Sequence, residues 1–148
     1  MGANENKRAE PLLVELPIRV KTYDIDFVGH VNNIVYIRWL EDLRLHLLDV
    51  HLPLEGLRAE GVVPIIVNTE IHYRQPVLLS DENVLGRMWI RDFGKAVFHL
   101  SAEFKVGDDL RCTAQQRGTF VNAQTQRPVR VPVDLYARFQ RERDASNE

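Results

Sequence analysis

The segment TYDIDFVGHVNN, residues 22–33, places two carboxylates, a histidine and two asparagines immediately before a helical pattern. A helix N-terminus carries unpaired N–H groups and a partial positive charge, which can polarise a carbonyl group and stabilise an oxyanion. A carboxylate such as Asp26, held across a small gap, could then act as a base or a nucleophile. Gly29 permits the sharp turn that such an arrangement needs. By spacing alone, a helix cap with a solvated turn is the more common explanation of such a segment, and a histidine such as His30 is more often an ordinary polar residue than a catalytic one.

Composition and charge exclude several classes of protein. The 148 residues suit one domain with a real core. The chain has 19 basic and 21 acidic residues, a net charge of −2, which argues against nucleic-acid binding by broad phosphate neutralisation. The single cysteine, Cys112, rules out a disulfide framework within the chain, and the histidine of the segment has no third metal ligand at a useful spacing. No signal peptide or membrane span is evident, so the sequence predicts a cytoplasmic protein without a metal site.

Hydrophobic periodicity predicts the elements that position the segment. ELPIRVKTY alternates as a first strand, and a helix is predicted from about Asn33 to Val50, with Asn32 or Asn33 as its N-cap. Within that helix, apolar side chains recur at i, i+4, i+7 and i+11, which is one face of a 3.6-residue period. These residues are Tyr36, Leu40, Leu43 and Leu47.

Four further strand patterns follow a short helical piece, LEGLRAEG, and a short amphipathic segment ends the chain. The predicted strands are VVPIIVNTEIHYR, NVLGRMWIRDF, KAVFHLSAEFKV and LRCTAQQRGTFVN. This order predicts an α+β fold with one antiparallel sheet wrapped around one long helix, as a single domain over residues 11–142. Polar tails are predicted for residues 1–10, as disordered, and 143–148. Because one sheet covers only part of so apolar a helix, we expect edge-strand pairing into a homodimer or homotetramer.

The string YDIDFVGHVNNIVYIRWLEDLR, together with this element order, resembles the hotdog-fold acyl-CoA thioesterases. It is similar to their 4-hydroxybenzoyl-CoA thioesterase-like branch and, through HVNN, to the long-chain acyl-CoA thioesterases. HYRQPVLLSDE, RDFGKAVFHLSAEF and GTFVN followed by RPVRVP extend the likeness over roughly residues 15–135. The resemblance implies a hotdog fold and an acyl-CoA substrate. No cofactor is expected.

The resemblance also implies roles for single residues. Asp26 occupies the position of the catalytic aspartate, the backbone N–H of Asn33 would polarise the thioester carbonyl, and His30 would position substrate or water. Gly29 allows a ligand to approach, and Tyr36 would contact the acyl chain. Three further substrate-binding candidates come from the strand patterns: Glu70 as a cleft residue, with Arg91 and Lys95 as partners of the CoA phosphates.

The predicted function is hydrolysis of a fatty or aromatic acyl-CoA thioester. Two alternatives remain open: a non-catalytic binding protein for acyl-CoA or an acyl carrier, and a hotdog hydratase or dehydratase. The sequence does not distinguish a nucleophilic from a general-base role for Asp26. It also leaves open the acyl group, CoA against acyl-carrier-protein substrates, the pathway, and dimer against tetramer.

Overall fold

The computed structural model describes residues 8–146, which contain a five-stranded antiparallel sheet and three α-helices. The elements in chain order are β1 (Val14–Ile18), a short 3-10 helix (Thr22–Asp24), α1 (Val35–His51), α2 (Leu54–Ala59), β2 (Val62–Tyr73), β3 (Val84–Phe93), β4 (Val97–Val106), β5 (Asp109–Asn122) and α3 (Val133–Ala145). None of the helices in this part of the chain is long and apolar enough to cross a membrane. The α+β class and the order of elements are confirmed.

The sheet has the strand order β1-β3-β4-β5-β2, so β1 and β2 form its two edges. Strand alternation sends one set of side chains toward α1 and the other set away from it. In β4, for example, Phe98, Leu100 and Phe104 are buried against the helix side, while His99 between them is only half-buried. The clean alternation of this strand in the sequence therefore marks its inner face correctly.

Helix α1 packs its predicted apolar stripe on the inner face of the sheet, and all four stripe residues are buried. Phe104 of β4 lies beneath it, with ring centroids 5.6 Å from Tyr36 and 5.7 Å from Trp39. The opposite side of α1 is uncovered, since Ile34 just before it and Ile37 within it are 59% and 51% exposed. One sheet thus covers only part of the helix, as its composition predicts.

The helix and the first strand differ from the predicted boundaries. Helix α1 begins at Val35 with Ile34 as its N-cap, so the prediction of Asn32 or Asn33 as N-cap was wrong. Asn32 stabilises the turn just before the helix, because its side-chain Oδ1 accepts the N–H of the N-cap residue Ile34 at 3.1 Å. The first strand ends at Ile18, whereas the predicted strand runs to residue 23. Thr22–Asp24 form the 3-10 helix and do not continue the strand.

Described residues on both sides of the predicted domain, residues 11–142, take part in the structure. Residues 1–7 of the predicted N-terminal tail lie outside the described residues, whereas Glu10 pairs with Arg87 at 2.8 Å. Arg87 also contacts Glu15 and Glu103, so it ties the chain start to two strands. Helix α3 runs to Ala145, so the predicted tail 143–148 begins inside a helix.

Two glycine-to-alanine substitutions should change stability in opposite directions. A Cβ at Gly118 would lie 2.2 Å from the Phe98 ring and 2.6 Å from the Ile65 carbonyl oxygen, so Gly118→Ala should cost about 1–3 kcal/mol. Gly56 lies within α2 with no atom near an added Cβ, so Gly56→Ala should add about 0.4–1 kcal/mol by restricting the unfolded chain. Urea unfolding at one protein concentration measures both. Equal effects would contradict the packing at Gly118.

Candidate active site

Residues 26–30 form a tight turn that its own aspartate closes. Asp26 Oδ1 accepts the backbone N–H of Val28 at 3.0 Å and of His30 at 3.1 Å, and the Asp26 N–H donates to the His30 carbonyl at 2.8 Å. Gly29 sits in the left-handed region at φ +84°, where a residue with a Cβ would be strained. The side chain of Asp26 is therefore held in one place while it stays half-exposed to a ligand.

The turn is fastened to the body of the protein on both sides. On one side the Val31 N–H donates to the Val77 carbonyl at 2.8 Å. On the other, Asp24 is buried, its Oδ2 accepts the Lys21 N–H at 2.9 Å, and its carbonyl accepts the Asn32 N–H at 2.8 Å. Asp24 is thus structural: its side chain is buried and hydrogen-bonded within the segment, whereas Asp26 is half-exposed.

A small cavity of about 180 Å³ lies beside the turn, at the start of α1. It is lined by His30, Asn33, Tyr36 and Tyr73, together with residues 31 and 74–76. The Tyr73 hydroxyl donates to the Asn33 carbonyl at 3.0 Å, and the Tyr73 and Tyr36 rings meet edge to face at 5.3 Å. In the described part of the chain the Asn33 N–H has no hydrogen-bond acceptor. A free backbone donor therefore lies near the positive end of a helix and beside a pocket.

The neighbouring tyrosine and cysteine are unsuited to act as nucleophiles or bases. Burial raises the pKa of Tyr36 to about 12 and the pKa of the Cys112 thiol to about 12. Both side chains are consequently neutral at physiological pH, and a neutral thiol is a poor nucleophile. Cys112 is buried, as expected for an inert core thiol. The ionisable groups left at the turn are Asp26 and His30.

Among the residues described, no group of three or more His, Cys, Asp or Glu side chains is arranged to hold a metal ion.

The structure brings together five of the eight residues that the sequence nominates for the site. Asp26, Gly29 and His30 form the turn, and Asn33 and Tyr36 line the pocket with His30.

The other three candidates lie elsewhere in the same chain. Glu70 faces away from α1, since it contacts His72 at 3.4 Å while Tyr73 points to the helix. Arg91 also lies on this outer face, where its guanidinium donates to Gln115 at 3.1 Å.

Lys95 lies still farther from the pocket, in the β3–β4 connection. Val97, at the adjoining end of β4, pairs with Thr119 of β5. Tyr73 of β2, by contrast, pairs with Cys112 of β5. At about 3.4 Å per residue, these two rows of the sheet are roughly 24 Å apart. Within one subunit, neither the outer-face residues nor Lys95 can line the pocket at the turn.

Tyr73 is a pocket residue with a direct contact to the start of α1 that the sequence did not reveal. The sequence did contain a sign of it, since Tyr73 stands next to the end of the second predicted strand, on the same face as Ile71. A hydroxyl at the end of an inward-facing row can reach the start of α1, but recognising this requires the register between β2 and the helix. That register depends on packing and is not readable from periodicity.

Comparison with known proteins identifies the fold class. A DHNA-CoA thioesterase from Staphylococcus aureus superposes with a TM-score of 0.77 at 14% identity, over 91% of this chain and 92% of that one. A Thermus thermophilus thioesterase complexed with coenzyme A and Zn gives 0.76 at 20% identity, over 93% and 98%. These likenesses confirm the hotdog fold, with its antiparallel sheet wrapped around one long helix.

Sequence comparison identifies the family. The family model of the thioesterase-like superfamily matches residues 20–139, and the chain belongs to this superfamily. The long-chain acyl-CoA thioesterase FadM of Escherichia coli is 34% identical over 68 residues, which is 46% of this chain and 52% of FadM. The match thus spans about half the length of that relative.

Proposed function

We propose that the protein hydrolyses an acyl-CoA thioester to a free acid and CoA. Two observations carry the proposal: the Asn33 N–H is unoccupied in the described residues and lies at a small pocket, and a fixed carboxylate, Asp26, lies in the adjoining turn, whose His30 lines that pocket. Membership of the thioesterase-like superfamily supports the reaction class. The names of two relatives, one a long-chain acyl-CoA thioesterase and one a thioesterase with bound coenzyme A, support acyl-CoA as the substrate.

The mechanism follows from the charges at the pocket. The thioester carbonyl oxygen accepts the Asn33 N–H, and the helix dipole of α1 stabilises the negative charge that develops on that oxygen. Asp26 takes a proton from water, the water oxygen attacks the carbonyl carbon, and the C–S bond breaks. The departing thiolate then takes up the proton, which leaves a carboxylic acid and CoA. His30 lines the pocket and positions the water or the acyl group.

A nucleophilic variant uses the same groups. Here an Asp26 oxygen attacks the carbonyl carbon, CoA leaves, and water then cleaves the mixed anhydride. Trapping of an acylated enzyme, or transfer of ¹⁸O from water into the Asp26 side chain during a single turnover, would identify this route.

We also propose that the protein works as a homodimer or a dimer of dimers. Strand β2 is an edge strand, and its bulge residue Val67 is 57% exposed. The uncovered side of α1, which includes Ile37, is a separate exposed apolar surface. Pairing of two β2 edges would remove an exposed strand edge, and contact between two copies would also cover apolar surface. The roles of Glu70, Arg91 and Lys95 toward CoA stay predictions that would need another subunit, and the cytoplasmic location likewise stays a prediction.

The proposed activity is tested by thiol release from a panel of short-chain, long-chain and aromatic acyl-CoAs. We expect release from saturated substrates, which a hydratase or dehydratase would not consume. The preferred member of the panel identifies the acyl group. Acyl-CoA binding without thiol release would overturn the proposal in favour of a binding protein.

Tyr73→Phe should lower kcat/KM by up to about tenfold. The substitution keeps the ring against Tyr36 but removes the hydrogen bond that holds the Asn33 carbonyl, a bond worth about 0.5–1.5 kcal/mol. Steady-state thiol release measures the change. Tyr23→Phe is the matched control, because that side chain is 76% exposed, and it should leave kcat/KM unchanged. Equal values for wild type and Tyr73→Phe would show that the bond does not position the donor.

A further inference from the structure

A second and larger cavity lies toward the opposite end of α1. Its volume is about 380 Å³, within the range of small-molecule sites, and its walls are the second half of α1, helix α2 and the inner face of the sheet. Leu48, Ile66 and Phe98 are typical of the lining, which is apolar except for three charged side chains. It shares no lining residue with the pocket at the turn.

The charged residues at this cavity are unevenly matched. Its lining contains two arginines, Arg44 and Arg58, and one carboxylate, Glu41. Across residues 8–146, no carboxylate oxygen lies within the 4.0 Å that defines an ion pair with Arg44. Burial lowers the pKa of Arg44, and Glu41 offsets this only in part. A half-buried cation without an anion at contact distance is costly, and a bound anion would relieve that cost.

Arg44 is held in place by a chain of hydrogen bonds across the interior. Its Nη1 donates to Gln116 Oε1 at 3.0 Å, and Gln116 Nε2 donates to Thr69 Oγ1 at 3.0 Å. Gln116 itself is only 4% exposed. This chain of bonds uses one of the five N–H donors of the guanidinium, so a fixed fork of donors remains at the wall of an apolar cavity.

We propose that this cavity binds a free monocarboxylate with an apolar tail, such as a fatty acid of medium length. The carboxylate pairs with Arg44, and the tail lies against the apolar lining. A bidentate guanidinium–carboxylate contact supplies the head-group selectivity, and burial of the tail supplies most of the affinity. Binding of such an acid needs no hydrolysis, so this inference does not rest on the proposed enzymatic activity.

A free acid fits better than the acyl chain of a substrate held at the turn. Tyr36 and Arg44 are eight residues apart on α1, or roughly 12 Å along its axis. The hydrogen-bond chain from Arg44 through Gln116 to Thr69 links the helix to the sheet between the two ends. A thioester also has its carboxyl carbon at the turn, so its apolar tail would bring no anion to Arg44.

The test is calorimetric titration of the purified protein with dodecanoate and with dodecanol, which lacks the carboxylate. We expect dodecanoate to bind wild type, and both dodecanol binding to wild type and dodecanoate binding to Arg44→Gln to be weaker by about tenfold or more. Arg38→Gln, an exposed arginine of α1 outside the cavity, is the matched control and should bind as wild type does. Absence of dodecanoate binding, or equal binding of acid and alcohol, would overturn the proposal.

A second variant separates the proposed acid site from a substrate tail site. Leu48→Phe adds volume inside the cavity and should weaken dodecanoate binding even if Arg44→Gln folds poorly. In wild type and Leu48→Phe, the KM for dodecanoyl-CoA should be the same. If that KM rises in parallel with the loss of dodecanoate binding, the cavity holds the tail of the substrate and a separate acid site is excluded.

Discussion

Asp26→Asn is expected to lower kcat for thioester hydrolysis by about 10²-fold or more while leaving the fold intact. An asparagine Oδ1 can still accept the N–H groups of Val28 and His30, so the turn that positions the side chain should persist. What the substitution removes is the basic or nucleophilic oxygen. Thiol release under saturating acyl-CoA measures kcat, and circular dichroism with thermal unfolding verifies the fold.

The matched control is Asp24→Asn, which changes the other carboxylate of the same segment. Asp24 is buried and accepts the Lys21 N–H, a bond that asparagine can also accept, so activity should stay close to wild type. Similar losses in both variants would mean that the rigidity of the segment matters and that Asp26 has no chemical role. Full activity in Asp26→Asn would reduce that residue to a turn cap.

Phe104→Ala is expected to destabilise the protein by about 3–5 kcal/mol, a large share of the roughly 5–15 kcal/mol that stabilises a typical domain. The Phe104 side chain is fully buried and packs on both Tyr36 and Trp39 of α1. Truncation therefore leaves a cavity directly beneath the helix that carries the site. Urea unfolding gives the free-energy difference, at one fixed protein concentration because association would alter apparent stability.

The control for this substitution is Phe27→Ala in the turn, where the side chain is 100% exposed. Truncating it removes no packing, so the change in stability should stay within about 0.5 kcal/mol. A loss for Phe104→Ala no larger than that of Phe27→Ala would contradict the packing of β4 beneath α1.

Local patterns were enough to predict most of the elements and to single out the segment proposed to carry the chemistry. The buried stripe of α1 and the alternation of β4 both follow from periodicity, because each element must bury one face. The segment 22–33 was recognisable because its polar residues stand directly before an apolar helix. Boundaries were less accurate: hydrogen bonds from Asn32 and Asp24 decide where the chain leaves one element and enters the next, and such bonds leave no periodic signal.

Residues that meet across the sheet could not be assigned in this way. Glu70 and Tyr73 are three residues apart, so they point to opposite faces, but only packing decides which face α1 covers. Arg91 and Lys95 were predicted as partners of the CoA phosphates, whereas the strand register places them on the outer face and at the far end of the sheet. The cavity at Arg44 depends on contacts of α1 and α2 with four strands, β2 to β5, most of which are distant from the helices in sequence.

Both edge strands of the sheet pair with partners that are synthesised later. Val14 of β1 lies opposite Met88, and Val62 of β2 lies opposite Asn122. A growing chain therefore presents α1, with its apolar stripe, well before the strands that cover it exist. Pairing over such sequence separations is slow compared with the folding of helical bundles. Between the synthesis of α1 and the pairing of β5 with β2 and β4, the chain is consequently most prone to aggregation. A chaperone would find the most exposed apolar surface to bind at that stage.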